Sequence, residues 1–505
     1  MKAYTNETMR QMDACAIQKY QIPSLVLMEH AAMAIATYLH KHVEKTKAIL
    51  IVCGPGNNGG DGFCLARILY SLNYEKVSVY CCVDEDKMSK DEKQNAMILK
   101  HYPIPWYQTT NEEALKQLFS TQDYFIDALF GTGLDREING FYKRFIELMM
   151  EANKFIYSVD MPSGIHGNNG SVLGCAVQAN KTLTFEGYKL GQLLYPGSAY
   201  CGDIEVLSIM MPKAIVDKSK GITILDKDMI HLPKRINHSH KGSYGKALLI
   251  GGSRNMHGAI TMCAKACLRS GIGTLTLFVP DCIHDLLASK LEESMLISAP
   301  SEDGFFAEDA YLALANIIDD YDMLVIGNGM GRSKSTLNLV ECVLKSNKPC
   351  ILDGDALFEL GKITSCLHRE ALTIITPHMK EMSYITNRHL QDIMNHKVEC
   401  AKEFVKTYPN CCLVLKDEHS IIAYQDEIYM NLAGNHSLAK GGSGDVLCGM
   451  IAGLYGQAKD CVKACIDGVY LHAYCVDELV KKMDANSILA SDIIAYLANA
   501  YQAFR

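Results

Sequence analysis

The 505-residue sequence lacks the marks of several classes of protein. No two of its 20 cysteines stand at CxxC spacing, which excludes zinc-ribbon and thioredoxin motifs. No apolar run reaches the roughly 18 residues of a membrane-spanning helix, and the polar N-terminus has no apolar signal-peptide core. Acidic residues outnumber basic ones, 57 against 49, which disfavours nucleic-acid binding through positive charge. We therefore expect a cytoplasmic protein with free thiols, no nucleic-acid partner and no membrane partner.

The sequence does contain the alternating pattern of an α/β protein. Its length predicts about two to four domains. After a helical region at residues 5–43, short apolar runs that suit buried parallel strands alternate with helical stretches. These runs cover residues 48–52, 76–83, 125–130 and 155–159, and then 247–250, 274–279, 323–326, 350–352, 372–375 and 412–415. We predict a Rossmann-like three-layer α/β/α domain over residues 1–220 and a second α/β domain over residues 221–505.

A glycine-rich segment directly follows the first apolar run. It reads GPGNNGGDG from Gly54 to Gly62 and precedes a helical stretch. Glycine lets backbone N–H groups approach an anion at a helix N-terminus. The segment also contains Asn57, Asn58 and Asp61, and a carboxylate there would repel a pyrophosphate. A cation site or an acid/base centre explains these side chains better, and the alternative is a tight turn closed by local Asx hydrogen bonds.

Two more polar segments follow later apolar runs. One reads DALFGTGLDRE and begins at Asp127, and the other reads VDMPSG and contains Asp160 and Ser163. The carboxyl ends of parallel strands line one crevice, so we expect both segments to meet the first glycine-rich segment there. An unpaired carboxylate in an apolar run costs several kcal/mol, so Asp127 needs a partner or a cation. Asn58, Asp127 and Ser163 offer only oxygen ligands, which suit a hard cation.

These three motifs, in this order, resemble the NAD(P)H-hydrate epimerase domain over about residues 1–215. The resemblance implies a nicotinamide dinucleotide hydrated at C6 of its ring as substrate, with its R and S epimers interconverted. It also implies a potassium ion at Asn58, Asp127 and Ser163. By their chemistry, Asp61 and Asp160 are the candidate acid/base residues. Substrate contacts are implied for Asn57, Asn58, Gly59, Gly60, Asp61, Gly131, Thr132, Gly133, Leu134, Asp135, Arg136, Glu137 and Asp160.

A second glycine-rich segment lies near the end of the chain. It reads AKGGSGDVLCG, includes Gly444 and Asp445, and opens an apolar helical stretch, which creates an anion hole. A carboxylate in the first helical turn would repel a resting phosphate, but it suits a base for a hydroxyl that attacks a phosphoryl group. The alternative is a helix cap. The P-loop pattern and the protein-kinase motif set are absent, which excludes both of those kinase classes.

The GSGD element is similar to the GxGD signature of ribokinase-like enzymes. The further motifs HKGSYGKALLIGG, HGA, IGNGMG, LDGDA and TPHxxE resemble ADP/ATP-dependent NAD(P)H-hydrate dehydratase over about residues 225–505. The resemblance implies that Ala259, Gly329, His378 and Asp445 contact the hydrated dinucleotide. It implies that magnesium assists phosphoryl transfer and that the AMP portion of ADP or ATP is held by Lys416, Asp417, Glu418, His419, Ser420 and Gly444.

Two motifs differ from the usual pattern of that family. The lysine loop, usually Lys-Gly-x-x-Thr, reads Lys-Asp-Glu-His-Ser from Lys416 to Ser420, and Asn328 stands where proline is usual. Ser420 keeps a hydroxyl and Gly329 keeps its backbone, so no group that the chemistry needs is missing. His378 has a second interpretation, as a turn histidine that satisfies local backbone groups.

The two resemblances together imply a bifunctional metabolite repair enzyme. Asp445 would deprotonate the C6 hydroxyl of the S epimer, ADP or ATP would phosphorylate it, and phosphate would leave. The epimerase would convert the R epimer into the S epimer that the dehydratase uses. We also expect the protein to form a homo-oligomer. One alternative is a ribokinase-like vitamin or small-molecule kinase fused to a non-catalytic nucleotide-binding module. Another is an NAD-dependent dehydrogenase, although no catalytic set for a second substrate is recognisable.

Overall fold

The computed structural model describes all residues from 1 to 505, and the chain divides into two compact units. The first unit is Met1–Ile222 and the second is Thr223–Arg505. Helices and strands alternate in both units, so the predicted α/β class is confirmed. None of the helices combines the length and the apolar character that crossing a bilayer requires.

A seven-stranded parallel sheet forms the centre of the first unit. The chain builds outward from Ala48–Cys53 in one direction, then returns and continues from Tyr124–Ala128 in the other. These two strands are neighbours, so a crevice opens between their carboxyl ends, where ligands bind in sheets of this kind. From edge to edge the strands are Trp106–Tyr107, Lys76–Cys81, Ala48–Cys53, Tyr124–Ala128, Phe155–Val159, Lys181–Phe185 and Asp203–Leu207.

Helices cover both faces of this sheet. Alternate residues of its central strand face opposite ways, so that Ile49 and Ile51 join one apolar cluster while Leu50 and Val52 join another. This is the predicted three-layer arrangement. The short strands Lys2–Tyr4 and Tyr188–Lys189 pair with each other, and the α-helices are Asn6–Gln18, Ser24–His42, Asn57–Ser71, Lys90–Leu99, Glu112–Ser120, Gly140–Glu151, Leu190–Leu193 and Lys213–Lys218.

The helical region predicted at residues 5–43 is two helices rather than one. Asn6–Gln18 ends before a five-residue break, and Ser24–His42 begins directly after Pro23. Gln21 in the break has a φ of 56°, and proline disfavours helical backbone in the residue before it.

The second unit is built on a longer, mixed sheet. Seven neighbouring strands are parallel: Met295–Ala299, Thr274–Pro280, Lys246–Ile250, Met323–Ile326, Cys350–Leu352, Thr373–Ile375 and Cys411–Leu415. An antiparallel hairpin of Ile421–Tyr424 and Glu427–Met430 then extends the sheet, and Ile222–Ile224 pairs parallel to the hairpin's second strand. A small hairpin joins Ser301–Glu302 to Phe305–Phe306. The α-helices are His257–Arg269, His284–Ala288, Ala310–Ala315, Lys334–Lys345, Asp355–Leu360, Met379–Thr386, Leu390–Asn395, Lys397–Thr407, Ser443–Ala458, Cys461–Leu479 and Ala490–Ala503.

The helix Ser443–Ala458 is buried on most of its circumference. It packs so closely on His257–Arg269 that a Cβ at its Gly449 would lie 2.1 Å from the carbonyl oxygen of Cys263. Small residues permit this approach. The glycine-rich start of the helix is therefore held in a fixed position within the second unit.

Candidate active sites

The first glycine-rich segment contains the start of a helix. The helix Asn57–Ser71 begins inside it, so the prediction that the whole of GPGNNGGDG precedes the helix was wrong. Gly56 has a φ of 98°, a region that favours glycine, and it turns the chain into the helix at this point. Asn58 and Asp61 consequently lie in the first helical turns, where backbone N–H groups lack partners within the helix.

Close packing explains the other glycines of this turn. A Cβ at Gly54 would lie 1.9 Å from the carbonyl oxygen of Leu129. A Cβ at Gly59 would lie 1.9 Å from the carbonyl oxygen of Gly54, and one at Gly60 would lie 2.8 Å from the Met28 side chain. The turn is thus pressed against the residues that follow the neighbouring strand, as the shared crevice predicts.

Glu92 supports the same turn from a neighbouring helix. Its Oε2 accepts hydrogen bonds from the backbone N–H groups of Gly56 at 2.8 Å and Ser89 at 2.9 Å. The Ser89 hydroxyl donates to Oδ1 of Asn57 at 3.2 Å. Glu92 is fully buried, and burial raises the pKa of its carboxyl. Glu92 was not predicted as part of the site, because its contact with Gly56 spans 36 residues; the local signal that marks it is the capping box that Ser89 and Glu92 form at the start of Lys90–Leu99.

Asp127 is fully buried and surrounded by donors. Its Oδ2 accepts from the Ser158 hydroxyl at 2.8 Å and from the Ser163 backbone at 2.9 Å, and its Oδ1 accepts from the Ser163 hydroxyl at 2.5 Å. Burial raises the pKa of Asp127, and the hydrogen bonds from Ser163 oppose that rise. The expectation that this carboxyl needs partners is therefore met by protein groups.

Asn58 joins this group through the backbone after Asp127. A Cβ at Gly131 would lie 3.2 Å from the Asn58 amide, and Asn58 is itself buried. The Ser163 hydroxyl accepts from the backbone N–H of Phe130 at 2.8 Å. All three predicted cation ligands thus meet around residues 130 and 131. The Nδ2 of Asn58 is buried without a hydrogen-bond partner.

Three carboxyl groups influence one another's charge in the first unit. Burial raises the pKa of Asp61 well above its usual value, and the charges of Asp160 and Asp13 raise it further. Burial also raises the pKa of Asp13 to about 6, again with help from Asp160, while Lys189 opposes the shift. Asp13 lies on the helix Asn6–Gln18, where its spacing gives no sign of this role, and the sequence analysis missed it.

Lys189 is the cation of this cluster, and the sequence analysis missed it too. Its ammonium group donates to Oδ1 of Asp160, to the Thr184 hydroxyl at 2.9 Å and to the carbonyl of Phe185 at 3.0 Å. Only 1% of its side chain is exposed. Asp160 has a φ of 62°, and its carbonyl accepts from the amide of Gln192 at 2.6 Å. Hydrogen bonds to the side chain and to the backbone carbonyl of Asp160 therefore hold the loop after the strand Phe155–Val159 in place.

The segment 131–137 forms an irregular loop beside Asn58. The carbonyl of Thr132 accepts from the Asn6 amide at 2.8 Å, and Leu134 N–H donates to the carbonyl of Gly131 at 3.3 Å. The remaining predicted contact residues of this loop are exposed: Gly133, Asp135, Arg136 and Glu137.

In the second unit, Asp445 lies in the first turn of Ser443–Ala458. Its Oδ1 accepts from the amide Nδ2 of Asn328 at 2.8 Å, and the same nitrogen lies 3.2 Å from Oδ2 of Asp353. Burial raises the pKa of Asp445 to about 6, and the charge of Asp353 adds to the rise. A carboxyl with this pKa is ionised at neutral pH and still basic enough to take a proton.

Lys416 lies between these carboxylates and the glycine-rich turn. Its ammonium donates to Oδ1 of Asp353 at 2.8 Å, an atom that also accepts from the Thr376 hydroxyl at 2.7 Å. A Cβ at Gly444 would lie 3.3 Å from the same ammonium. A positive side chain therefore stands beside the positive end of a helix, which together attract an anion.

Two further polar atoms near this turn have no partner. The hydroxyl of Ser443 and Nε2 of His472 are both buried without a hydrogen bond. Burial lowers the pKa of His472 to about 4, and the charge of Lys416 lowers it further. A neutral imidazole and a hydroxyl are thus available beneath the anion hole. The sequence analysis missed His472, since it lies in the middle of an apolar helix.

His378 serves as the N-cap of the helix Met379–Thr386. Its Nδ1 accepts from the N–H groups of Lys380 at 3.1 Å and Glu381 at 3.2 Å, and its own N–H donates to Oε2 of Glu381 at 2.8 Å. The interpretation as a turn histidine is therefore correct for its backbone role. The ring remains about half exposed, so its edge stays open to a ligand.

The other predicted residues of the second unit form two groups, one of Ala259 and Gly329 and the other the turn from Asp417 to Ser420. A Cβ at Gly329 would lie 3.0 Å from the Cβ of Ala259, so these two are neighbours. Asp417 pairs with Lys397, whose side chain is only 4% exposed. The hydroxyl of Ser420 donates to the carbonyl of Asp417 at 3.5 Å. Glu418 and His419 lie in the same turn, between Lys416 and Ser420.

Two family profiles match the chain. The one described as NAD(P)H-hydrate dehydratase matches residues 247–499, and the one described as YjeF-related protein N-terminus matches residues 24–191. Curated relatives match nearly end to end. A bifunctional NAD(P)H-hydrate repair enzyme of Thermofilum pendens is 34% identical over 100% of this chain and 97% of its own length. One of Moorella thermoacetica is 33% identical over 98% and 96%.

Solved structures resemble a little over half of the chain. An ADP/ATP-dependent NAD(P)H-hydrate dehydratase of Bacillus subtilis, co-crystallised with ATP and Mg2+, gives a TM-score of 0.50 at 29% identity, covering 56% of this chain and 99% of that one. A ribokinase-like protein of Enterococcus faecalis gives 0.50 at 25% identity, covering 56% and 96%. The predicted ribokinase-like fold is therefore confirmed.

Proposed function

The chain belongs to the family of bifunctional NAD(P)H-hydrate repair enzymes, and we propose that its two units carry out the two repair reactions. The first unit interconverts the R and S epimers of NADH or NADPH hydrated at C6, and the second dehydrates the S epimer with ADP or ATP. The observation that carries the proposal is the position of Asp445 in the first turn of a glycine-opened helix, with the Lys416 ammonium beside Gly444. An S-specific dehydratase alone would leave the R epimer unused.

Dehydration requires the C6 hydroxyl to become a better leaving group. Asp445 takes its proton, and the oxygen attacks the terminal phosphoryl group of ADP or ATP, which releases AMP or ADP. Lys416 and the backbone N–H groups around Gly444 offset the charge that develops. Phosphate then leaves C6 and a proton leaves C5, which restores the ring double bond. The products are NAD(P)H, inorganic phosphate and the shortened nucleotide.

Magnesium fits this site as a companion of the nucleotide. No group of three or more His, Cys, Asp or Glu side chains in the chain is arranged to hold a metal ion. The buried carboxylate beside Asp445 is Asp353, and it already accepts hydrogen bonds from Lys416, Thr376 and Asn328. Magnesium commonly binds through substrate phosphates and water with few protein ligands. We infer that it enters with ADP or ATP and neutralises phosphate charge there.

Epimerisation at C6 requires an acid on the departing hydroxyl and a base for the incoming water. Burial raises the pKa of Asp61 well above its usual value, which suits the role of the acid. Asp160, which is paired with the Lys189 ammonium, serves as the base. Loss of water from one face of the ring and its return to the other leave the composition unchanged. Asp13 lies close enough to raise the pKa of Asp61, and it thereby helps Asp61 to keep its proton until the hydroxyl departs.

A potassium ion fits the first unit at Asn58, Asp127 and Ser163. Their side chains supply amide, carboxylate and hydroxyl oxygens, and the carbonyl of Phe130 lies 3.2 Å from the Ser163 hydroxyl. A half-turn of the Asn58 amide would exchange its unpartnered Nδ2 for a carbonyl oxygen. An ion there would orient the loop that follows Asp127. The epimerase rate should therefore depend on potassium, whereas the dehydratase rate should not.

The test supplies a mixture of R and S hydrated NADH with ADP or ATP. Recovery of dihydronicotinamide absorbance should run to completion, with one inorganic phosphate released per NADH formed. Recovery that stops near half of the mixture would show that the first unit does not epimerise. A stable phosphorylated product without phosphate release would instead favour the small-molecule kinase. Repeating the assay with potassium replaced by tetramethylammonium tests the cation.

The proposal also covers assembly and compartment. All 20 cysteines are free, which suits a reducing cytoplasm. The helix Ser24–His42 exposes Leu25, Val26 and Met33, an apolar surface that suits contact between copies of the chain. Light scattering should therefore report a mass above that of the 55.9 kDa monomer, and Met33→Glu should lower it.

A further inference from the structure

Asn328 occupies a buried position between two carboxylates of the second unit. It follows the strand Met323–Ile326 and is fully buried. Its Nδ2 lies 2.8 Å from Oδ1 of Asp445 and 3.2 Å from Oδ2 of Asp353. These three residues come from three distant parts of the chain.

The two carboxylates are not equivalent. Asp353 accepts from Lys416 at 2.8 Å and from Thr376 at 2.7 Å through its other oxygen, so its charge is already compensated. The hydrogen bond to the Asp445 carboxylate comes from the Asn328 amide, a neutral donor. The amide of Asn328 therefore matters more to Asp445 than to Asp353, because an unpartnered buried carboxylate is expensive.

Several charged or titratable groups surround Asp445. Asp353 and Asp355 lie on the neighbouring sheet edge and helix, and Lys416 follows another strand. Two thiols face it as well, Cys448 on its own helix and Cys263 on the helix packed against it. Asp353 and Asp355 disfavour ionisation of Asp445, whereas Asn328 and Lys416 favour it. A neutral donor in this position stabilises the carboxylate without adding a second charge.

We propose that Asn328 is a positioning residue for the dehydration step, which holds the Asp445 carboxylate ionised and aims it at the substrate hydroxyl. The amide engages Oδ1, and this leaves Oδ2 to take the proton of the C6 hydroxyl. The inference rests on the proposed function of the second unit and goes beyond it, since it assigns an active-site task to a residue to which the proposed function gives none.

The test compares Asn328→Leu, which has similar volume and no donor, with Asn328→Pro, which also lacks a side-chain donor. Both should shift the acidic limb of the kcat–pH profile upward by about one unit, because the carboxylate loses its hydrogen bond. At pH 6 kcat should fall about fivefold, while KM for the nucleotide changes less than about twofold. A purely structural role would lower kcat at every pH without moving the limb.

Controls separate the possible failures. The first control is Asn338→Leu, a substitution on the helix Lys334–Lys345 that should leave the kcat–pH profile unchanged. The second is epimerisation, which should be normal in every Asn328 variant. If the leucine variant does not fold, Asn328→Ser takes its place, because the shorter serine side chain does not reach the Asp445 carboxylate. In an Asp445→Asn background, substitution of Asn328 should cause no further loss of the residual rate.

An unshifted acidic limb in folded Asn328 variants, or a further loss in the Asp445→Asn background, overturns the inference. In that case the parent enzyme would still release phosphate and restore NADH. A parent that forms a stable phosphorylated product would refute the proposed function itself, so the two failures are distinguishable.

Discussion

Lys189 and Asp160 form a buried ion pair in the first unit, with the lysine ammonium donating directly to Oδ1 of the carboxylate. The pair joins the loop after the strand Phe155–Val159 to the short strand Tyr188–Lys189, and the Thr184 hydroxyl donates to the same carboxylate oxygen at 3.0 Å. A carboxylate close to two others, Asp61 and Asp13, is stabilised by such a cation.

Replacement of Lys189 by methionine should remove both activity and stability from the first unit. The methionine fills similar volume but leaves Asp160 without its compensating charge, and breaking a buried pair in this way costs about 3–5 kcal/mol. Epimerisation should fall about a hundredfold. Chemical denaturation measures the loss of stability, and R-to-S conversion followed by chromatography measures the loss of epimerisation.

Lys181→Met is the matched control for this substitution. Lys181 is 4.0 Å from Glu205, and both side chains are partly exposed, so its loss should cost no more than about 1 kcal/mol. Equal losses in the two variants would contradict the special role of Lys189. In both variants dehydration of purified S epimer should proceed at the parent rate.

Asp445→Asn should abolish dehydration and leave epimerisation intact. The amide matches the carboxylate in shape but does not accept a proton from the C6 hydroxyl, so kcat should fall about 10²–10⁴-fold. In the parent, kcat should decrease below pH 6 because the pKa of Asp445 is raised to about 6 by burial. The measurement is the recovery of dihydronicotinamide absorbance from the S epimer. Undiminished recovery in the variant would exclude Asp445 as the base.

The sheets were predictable because buried parallel strands give continuous apolar runs. The predicted bounds of Phe155–Val159, Met323–Ile326 and Cys350–Leu352 are confirmed. Lys181–Phe185 and Asp203–Leu207 were not predicted. In the first, a lysine and two threonines interrupt the apolar run although the strand is buried. The second is a half-exposed edge strand that carries two acidic residues. Exposure at an edge removes the apolar signal on which the prediction depends.

The site was predictable where residues form local motifs and unpredictable where contacts are made across the chain. Glycine-rich turns identified Asn58, Asp61 and Asp445 directly from the sequence. Lys189 lies 29 residues after Asp160, and no local pattern indicates that a lysine in that position will be buried. Asp13 looks like any polar residue of an amphipathic helix until the fold brings it near Asp61. The roles assigned to these residues stay predictions.

Glu381→Gln should stabilise the second unit in a pH-dependent way. Burial raises the pKa of Glu381 from its usual 4.5 to about 7, so folding favours the protonated carboxyl. The stabilisation from the protonated form is complete below the unfolded-state pKa and is lost as the pH rises through 7. The glutamine keeps an oxygen for the N–H of His378 and carries no charge.

The advantage of the glutamine variant should therefore grow with pH. Between pH 5 and pH 8 the difference in unfolding free energy from the parent should change by roughly 2 kcal/mol in favour of the variant. Urea denaturation at both pH values gives this difference. A constant difference would mean that Glu381 is ionised in the folded protein across the range.

Gly54→Ala should destabilise the first unit, whereas Gly133→Ala should not. A Cβ at Gly54 would lie 1.9 Å from the backbone carbonyl oxygen of Leu129, and both residues directly follow the paired ends of two neighbouring strands. Relieving that contact requires the turn to move away from the adjoining strand, at a cost of about 3 kcal/mol. At Gly133 nothing lies within 4 Å of the added carbon. Thermal unfolding should separate the two variants, and epimerisation should fall in Gly54→Ala, because the displaced turn carries Asn58 and Asp61. Equal unfolding temperatures would show that the turn yields without cost, and the close packing of the glycine-rich segment would then have no energetic role.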